Sequence, residues 1–256
     1  MAKRGRKGHT KRIAVPKAVP IHDKKGNEWI ANTNPGPHGK KKSMPLVVLL
    51  REILGVAENS KEVKIVLMDR KVLVDGVART DHKFPVGFMD VISMPAADAY
   101  YKIGVKQGKL VPQKIDKEAA GSKLLKVTGK NSLKGNKVSV ALHDGRNLLA
   151  DNDVKVGDSI EFDLAGKKMA KLLKFGKGAK CIITDGKHSG ANVTVEEVFP
   201  NKEGRPSEAL VTSGDESFRT LANYLFVVGE TPTSPRKSGK GEESASENKN
   251  EGLGGV

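Results

Sequence analysis

Cations are the residues of this sequence with the most evident chemistry. Lys3, Arg4, Arg6, Lys7, Lys11, Arg12 and Lys17 crowd its start, and Lys40, Lys41 and Lys42 follow a stretch rich in proline and glycine. Residues 1–42 hold twelve Lys and Arg against Asp23 and Glu28, which is +10 of the chain's total +15. Each cation that neutralises a phosphate releases condensed counterions, so roughly 6–10 such contacts give strong, salt-sensitive affinity for nucleic acid. Arginine adds a two-bond grip on a single phosphate. Two further basic groups stand apart: Arg51, Lys61, Lys64, Arg70, Lys71 and Arg79, and later Lys177, Lys180, Lys187 and His188. A membrane surface would call instead for an amphipathic basic helix with bulky apolar residues, which residues 1–42 lack.

The chain contains no catalytic signature. Gly36 and Gly39 in GPHGKKKS stand three apart rather than five, so the phosphate loop G-x-x-x-x-G-K-[ST] is absent. Gly176 and Gly178 are followed by Cys181 where a dinucleotide fingerprint needs a third glycine. Neither G-x-S-x-G nor H-E-x-x-H occurs, and Glu196 and Glu197 would point to opposite faces of a strand. One cysteine excludes an internal disulfide framework, and six histidines show no ligand-like spacing. No metal, cofactor or small-molecule substrate is expected. Aromatics make up 4% of the 256 residues, and the longest unbroken aliphatic run is 46–50. That is too short to cross a membrane, and a soluble cytosolic protein with no membrane partner is the expectation.

The basic groups need elements to position them. Leu46, Leu49, Leu50, Ile53 and Leu54 follow the i, i+3, i+4, i+7, i+8 spacing between Pro45 and Gly55, which predicts one helix. A second starts at Asn59 or Ser60, with Glu62 placed for a capping box; it buries Val63, Val66 and Leu67 and leaves Lys61 and Lys64 on another face. After Arg70 the period becomes two: Val72 and Val74 alternate, Asp75-Gly76 supplies a primed turn, and Val77 begins the return strand. Upstream, Pro16, Pro20, Pro35 and Pro37 with many glycines and Trp29 as sole aromatic cannot build a core, which predicts an extended arm ordered only against a partner. Downstream, strand-like runs at 124–128, 138–143 and 160–164 lie between turn signals at Gly129, Gly135, Asp144-Gly145, Gly157-Asp158 and Gly166, as in a small barrel or sandwich. Beyond residue 176 a strand through Cys181, Ile182 and Ile183 ends at Asp185-Gly186, and Gly190 opens the next through Val193 and Val195, so a basic loop lies between flanking glycines. The expected class is α+β and multi-domain: arm 1–42, two-helix-plus-hairpin module 43–97, central small β domain 98–175, C-terminal barrel 176–230, and a low-complexity disordered tail 231–256.

The helix pair with its hairpin resembles the small RNA-binding module of ribosomal proteins, pseudouridine synthases and heat-shock factors. The loop at Asp185 resembles the KOW motif, an SH3-like barrel of ribosomal proteins and transcription elongation factors. Two alternatives follow from these pieces taken singly: an RNA-modifying enzyme of pseudouridine-synthase type, or a KOW-containing transcription factor. The first has its catalytic aspartate in a Gly-Arg-Leu-Asp context, whereas here Gly145-Arg146 is followed by Asn147 and Leu148. Taken in order, the segments resemble the archaeal and eukaryotic-type small-subunit ribosomal protein four family. The resemblance rests on HTKRIAVPK from His9, PGPHGKKKSMPL from Pro35, DGVARTDHKFPVGFMDVI from Asp75, VKVGDSIEFDL from Val154, DGKHSG from Asp185 and NYLFVVG from Asn223. It implies a structural, non-catalytic constituent of the cytoplasmic ribosome that lies on small-subunit ribosomal RNA beside neighbouring ribosomal proteins and is not a homo-oligomer. On that resemblance the arm cations thread between RNA helices, the module's cations dock on an RNA junction, and Lys177, Lys180, Lys187 and His188 touch backbone from the barrel loop. The family tends to place an aromatic after the first proline-lysine pair, where this chain has Val19 and Pro20. Short loops fit an archaeal-like member.

Overall fold

The computed structural model describes residues 10–21, 23–135, 137–200, 206–214 and 216–229. Lys3, Arg4, Arg6 and Lys7 lie outside the described residues, as does the tail for which disorder was expected.

The arm begins with strand β1 (Thr10–Lys11), paired antiparallel to β2 (Trp29–Ile30). The described part of the arm is not the partner-dependent extension its composition suggests. Val19 and Ile21 are buried, and Val15, Ala18, Ile30 and Ala31 pack on the same core as the first helix. Proline and glycine content tests whether a segment can build a core of its own; scattered aliphatics can still cover a core that another element has built. Val19, where the family tends to have an aromatic, is one of these covering residues.

Strand β3 (Ser43–Pro45) leads into α1 (Leu46–Val48), which widens into a π-helical turn at Leu49–Ile53. Leu54 N–H donates to Leu49 O at 2.9 Å, and Gly55 at φ +63° ends the helix. Leu46, Leu49 and Leu50 are buried as their spacing requires. Helix α2 (Ser60–Met68) starts at the Asn59 cap, with the Glu62 carboxylate accepting from the N–H of Glu58 at 3.0 Å and of Asn59 at 3.4 Å, and it buries Val63 and Leu67. Between β4 (Leu73–Val74) and β5 (Val77–Ala78), Asp75 and Gly76 both take positive φ, +51° and +73°, the requirement of a primed two-residue turn. Strand β6 (Pro85–Gly87) pairs with β3, while β7 (Val91–Met94) pairs with β4 and then with β8 (Ala99–Lys106), which pairs with β9 (Lys109–Lys114). The resulting sheet, in the order β5-β4-β7-β8-β9, runs straight across residue 98, where the sequence suggested a new domain. At that boundary Pro95-Ala96-Ala97 form a single turn between paired neighbours, Met94 opposite Ala99.

The next sheet contains β10 (Ser122–Ser132), β11 (Val138–Leu142), β12 (Asn147–Ala150), β13 (Ser159–Asp163) and β14 (Lys168–Leu173), in the order β12-β11-β10-β13-β14. Gly129 lies inside β10, not at a turn: the register with β11 shifts between Val127 and Gly129, a bulge that lets one long strand serve two pairings. Leu125, Val127, Val140, Ile160 and Phe162 fill this core. The last sheet, β18-β17-β16-β15-β19, is built from β15 (Lys180–Ile183), β16 (Asn192–Phe199), β17 (Glu208–Ser213), β18 (Glu216–Leu221) and β19 (Leu225–Val227), over Cys181, Ile183, Val193, Val195 and Val211. Glu196 and Glu197, which strict alternation would put on opposite faces, are both exposed because the register slips between Val195 and Glu197. The molecule is mixed but strand-rich, with few helices.

Candidate nucleic-acid interface

The described cations divide into those turned inward and those free. Arg12 is 8% exposed: its guanidinium grips the Glu52 carboxylate through two bonds of 3.0 and 2.9 Å and also donates to Asp23 O. Arg51 donates to Ser60 Oγ at 2.9 Å and is also held by Glu52. Arg79 lies over the Phe84 ring, 4.5 Å from its centroid, and Lys71 faces Asp69 at 2.8 Å. Lys11 is shared between Glu28 at 3.5 Å and the face of Trp29 at 5.7 Å. Lys40 donates to Thr10 Oγ1 at 3.3 Å. Lys17, Lys41, Lys61, Lys64, Lys177, Lys180 and Lys187 are exposed, as is Arg70.

The arm, the first sheet and the last sheet meet at the loop around Asp185. Asp185 forms an ion pair with Lys42, and Ser189 O accepts from Gln107 N–H at 3.0 Å, in the β8–β9 turn. Gly190, at φ +92°, presses on the same turn: a Cβ there would lie 2.6 Å from Val105 O. The loop thereby offers Lys187 and His188 outward, the imidazole stacked on Phe218 with centroids 4.2 Å apart. Behind it lies a cleft of about 920 Å³ lined by residues of the arm and of the three five-stranded sheets, with Lys17, Lys41, Lys42 and Lys126 among them. None of Arg51, Lys61, Lys64, Arg70, Lys71 or Arg79 lines this cleft, nor do Lys177, Lys180 and Lys187. Sequence reading missed Lys126. It stands on β10 and donates to Asn223 O at 2.8 Å and to Leu225 O at 2.7 Å; burial lowers its pKa to about 8.

A second group went unnoticed in the sequence. Lys123 shares the inward register of β10 with Leu125 and Val127 and is fully buried. Its Nζ is 2.7 Å from Asp75, 2.6 Å from Asp90 and 3.6 Å from Asp144, while Arg146 reaches Asp75 at 3.0 Å and Asp144 at 3.1 Å. His38 of the arm lies 3.0 Å from Asp90. Burial opposes the Lys123 charge, yet Asp90, Asp75 and Asp144 outweigh it and raise its pKa. Burial likewise works against the Asp90 charge, but Lys123 and His38 hold that carboxyl well below the usual range. Asp75 is raised instead, by burial and then by Asp90. One cluster therefore fastens the arm, the first sheet and the second sheet together. It also absorbs the Asp144-Gly145-Arg146 string: Asp144 is a buried counter-ion, closed to a substrate. The available signal was a lysine in an inward strand register.

Beside the cluster, His143 accepts from Lys126 N–H through Nδ1 at 3.1 Å, so Nε2 carries the proton and donates to Phe88 O at 3.2 Å. Burial, and then Lys123, lower its pKa to about 4. The ring packs edge-on against Phe226 at 5.5 Å, and Phe226 in turn meets Phe88 at 5.1 Å.

Antiparallel sheets, two of them locked to the arm by buried charge, with exposed Lys17, Lys41 and Lys42 along a cleft, define the class of modular β proteins that present a fixed cationic surface. The comparisons give that class a family. The sequence model of ribosomal family S4e matches residues 97–169. Small ribosomal subunit protein eS4 of Methanosphaera stadtmanae is 42% identical over 231 residues, spanning 90% of this chain and 95% of the relative. The eS4 protein of Nanoarchaeum equitans is 40% identical over 225 residues, 88% and 96% of the two chains. The crystal structure of 30S ribosomal protein S4e from Thermoplasma acidophilum superposes with a TM-score of 0.65 at 33% identity, covering 74% of this chain and 96% of that one. The chain belongs to the small ribosomal subunit protein eS4 family.

Proposed function

We propose that this protein binds small-subunit ribosomal RNA mainly through phosphate and shape, beside neighbouring ribosomal proteins, as a monomeric brace. Its role is that of a structural, non-catalytic constituent of the small ribosomal subunit, in the cytoplasm, in support of translation. The observation that carries the RNA reading is the set of lysines left without an internal partner among the described residues: Lys17 and Lys41 at the cleft, Lys61 and Lys64 on α2, and Lys187 on the loop. Cations turned outward from rigid elements position a backbone without reading its sequence. The arm would supply a second set, Lys3, Arg4, Arg6, Lys7, Lys11, Lys40 and Lys42. Arg70 and Lys71 would extend the α2 set, and Lys177, Lys180 and His188 the loop set. Arg12, Arg51 and Arg79 hold the fold and support their neighbours from behind. The last sheet, with its glycine-flanked loop, suits a KOW-type SH3-like barrel, and the domain division fits best with the first break near residue 115, after β9.

Sedimentation of the tagged full chain through gradients at low and high salt tests this. Co-migration with small subunits at low salt, weakening as salt rises, is expected. A chain found only free, or one that modifies RNA, would remove the reading.

A further inference from the structure

The inter-sheet cleft combines two features that phosphate contacts along a surface do not need: depth and an aromatic wall. Its volume of about 920 Å³ lies in the upper part of the roughly 300–1,000 Å³ range typical of small-molecule sites. Phe88, His143, Phe175 and Phe226 line it, and Val156, 57% exposed, lies at its apolar side. The rim carries Lys17 and Lys41, which have no hydrogen bond or ion pair among the described residues, and Lys42, whose charge is already met by Asp185. An occupant must therefore be flat and apolar at one end and anionic at the other. A basic peptide is repelled by that rim, and a wholly apolar one leaves the lysines unanswered.

We propose that the cleft takes a single nucleotide extruded from RNA, its base against the Phe88 and His143 rings, which both pack on Phe226, and its phosphate held by Lys17 or Lys41. The inference deepens the ribosomal-RNA reading and rests on it. Every base has a π-face, so such a wall accepts bases with little sequence preference, and a neutral His143 ring completes it without adding a competing charge. A nucleotide held this way is anchored in depth as well as along the backbone.

The test uses the full chain with methyl-labelled valine and threonine. Nucleoside monophosphates at millimolar concentration should shift the methyl signals of Val127, Thr128 and Val156 saturably, whereas ribose 5-phosphate, which lacks the base, should not. Val156→Trp fills the cleft from an exposed position and should weaken nucleotide binding about tenfold or more, on the scale of losing one stacked base. Leu149→Trp, at an exposed position of β12 that does not line the cleft, should leave binding unchanged. Absence of shifts, equal shifts from ribose 5-phosphate, or full binding by Val156→Trp would each overturn the cleft proposal. Gradient sedimentation reads the ribosomal assignment separately, so failure of one is not mistaken for failure of the other.

Discussion

Lys123 shows how much one side chain can be asked to do. Replacing it with methionine keeps the length but leaves Asp75 and Asp144 with Arg146 alone and Asp90 with His38 alone. Losing one partner of a buried pair costs about 3–5 kcal/mol, a large share of the ~5–15 kcal/mol that holds a typical domain. Urea unfolding of Lys123→Met should register that loss, and an unchanged midpoint would mean that the cluster is not a lock. His143 gives a prediction with a sign. Its pKa is lowered to about 4 in the folded protein, against about 6.5 when unfolded, so its contribution is complete above pH 6.5 and is lost as pH falls towards 4. The full effect is at most about 3 kcal/mol, and His143→Gln should flatten the stability curve in that window. Protonation would also set a new donor on Nδ1 against the Lys126 N–H, which explains why the site prefers the neutral ring. An NMR titration that finds the folded ring titrating near 6.5 would refute this.

At the level of elements, the loop around Asp185 depends on a residue without a Cβ. Gly190→Ala would bring a methyl within 2.6 Å of Val105 O and also force a side chain into positive φ, so a loss of about 1–3 kcal/mol is expected. The exchange rate of the Gln107 amide, which donates to Ser189 O, reports the change directly. It should accelerate in the variant, and continued protection would show that the loop docks by other means. Some elements were legible in the sequence because their signals are local: the Asp75-Gly76 turn requires positive φ at both positions, and the Asn59 cap needs only Glu62 three residues on. The π-turn at Leu49–Ile53 and the bulges at Val127/Gly129 and Val195/Glu197 were not, because side-chain types carry no marker for an extra backbone residue and only the pairing register reveals the bulges.

For the whole molecule, charge and packing make opposite claims on the arm. Deleting residues 1–42 would strip Val19 and Ile21 from the first core, so that truncation would confuse stability with binding. Exchanging Lys40, Lys41 and Lys42 for glutamine separates the two. The slope of log K against log salt for ribosomal RNA should flatten by roughly 0.7–0.9 for each phosphate no longer neutralised, with little change in thermal stability. Arg12→Gln should behave the other way, destabilising the fold by leaving the Glu52 carboxylate with Arg51 as its one remaining described ion-pair partner, while leaving the slope unaltered. A change in slope for Arg12→Gln as large as that for the lysines would contradict the division into inward and outward cations.

The sequence by itself determined the second helix with its cap, the Asp75-Gly76 turn, the inventory of charge and the order of family blocks, since each depends on neighbours within a few residues or on composition. Tertiary structure alone decided which cations remain free, that the sheet continues past residue 98, and that Lys123 gathers three aspartates from two sheets. The reason is physical. A lysine's identity states its charge, but only the groups folded around it determine whether that charge faces a carboxylate or the solvent.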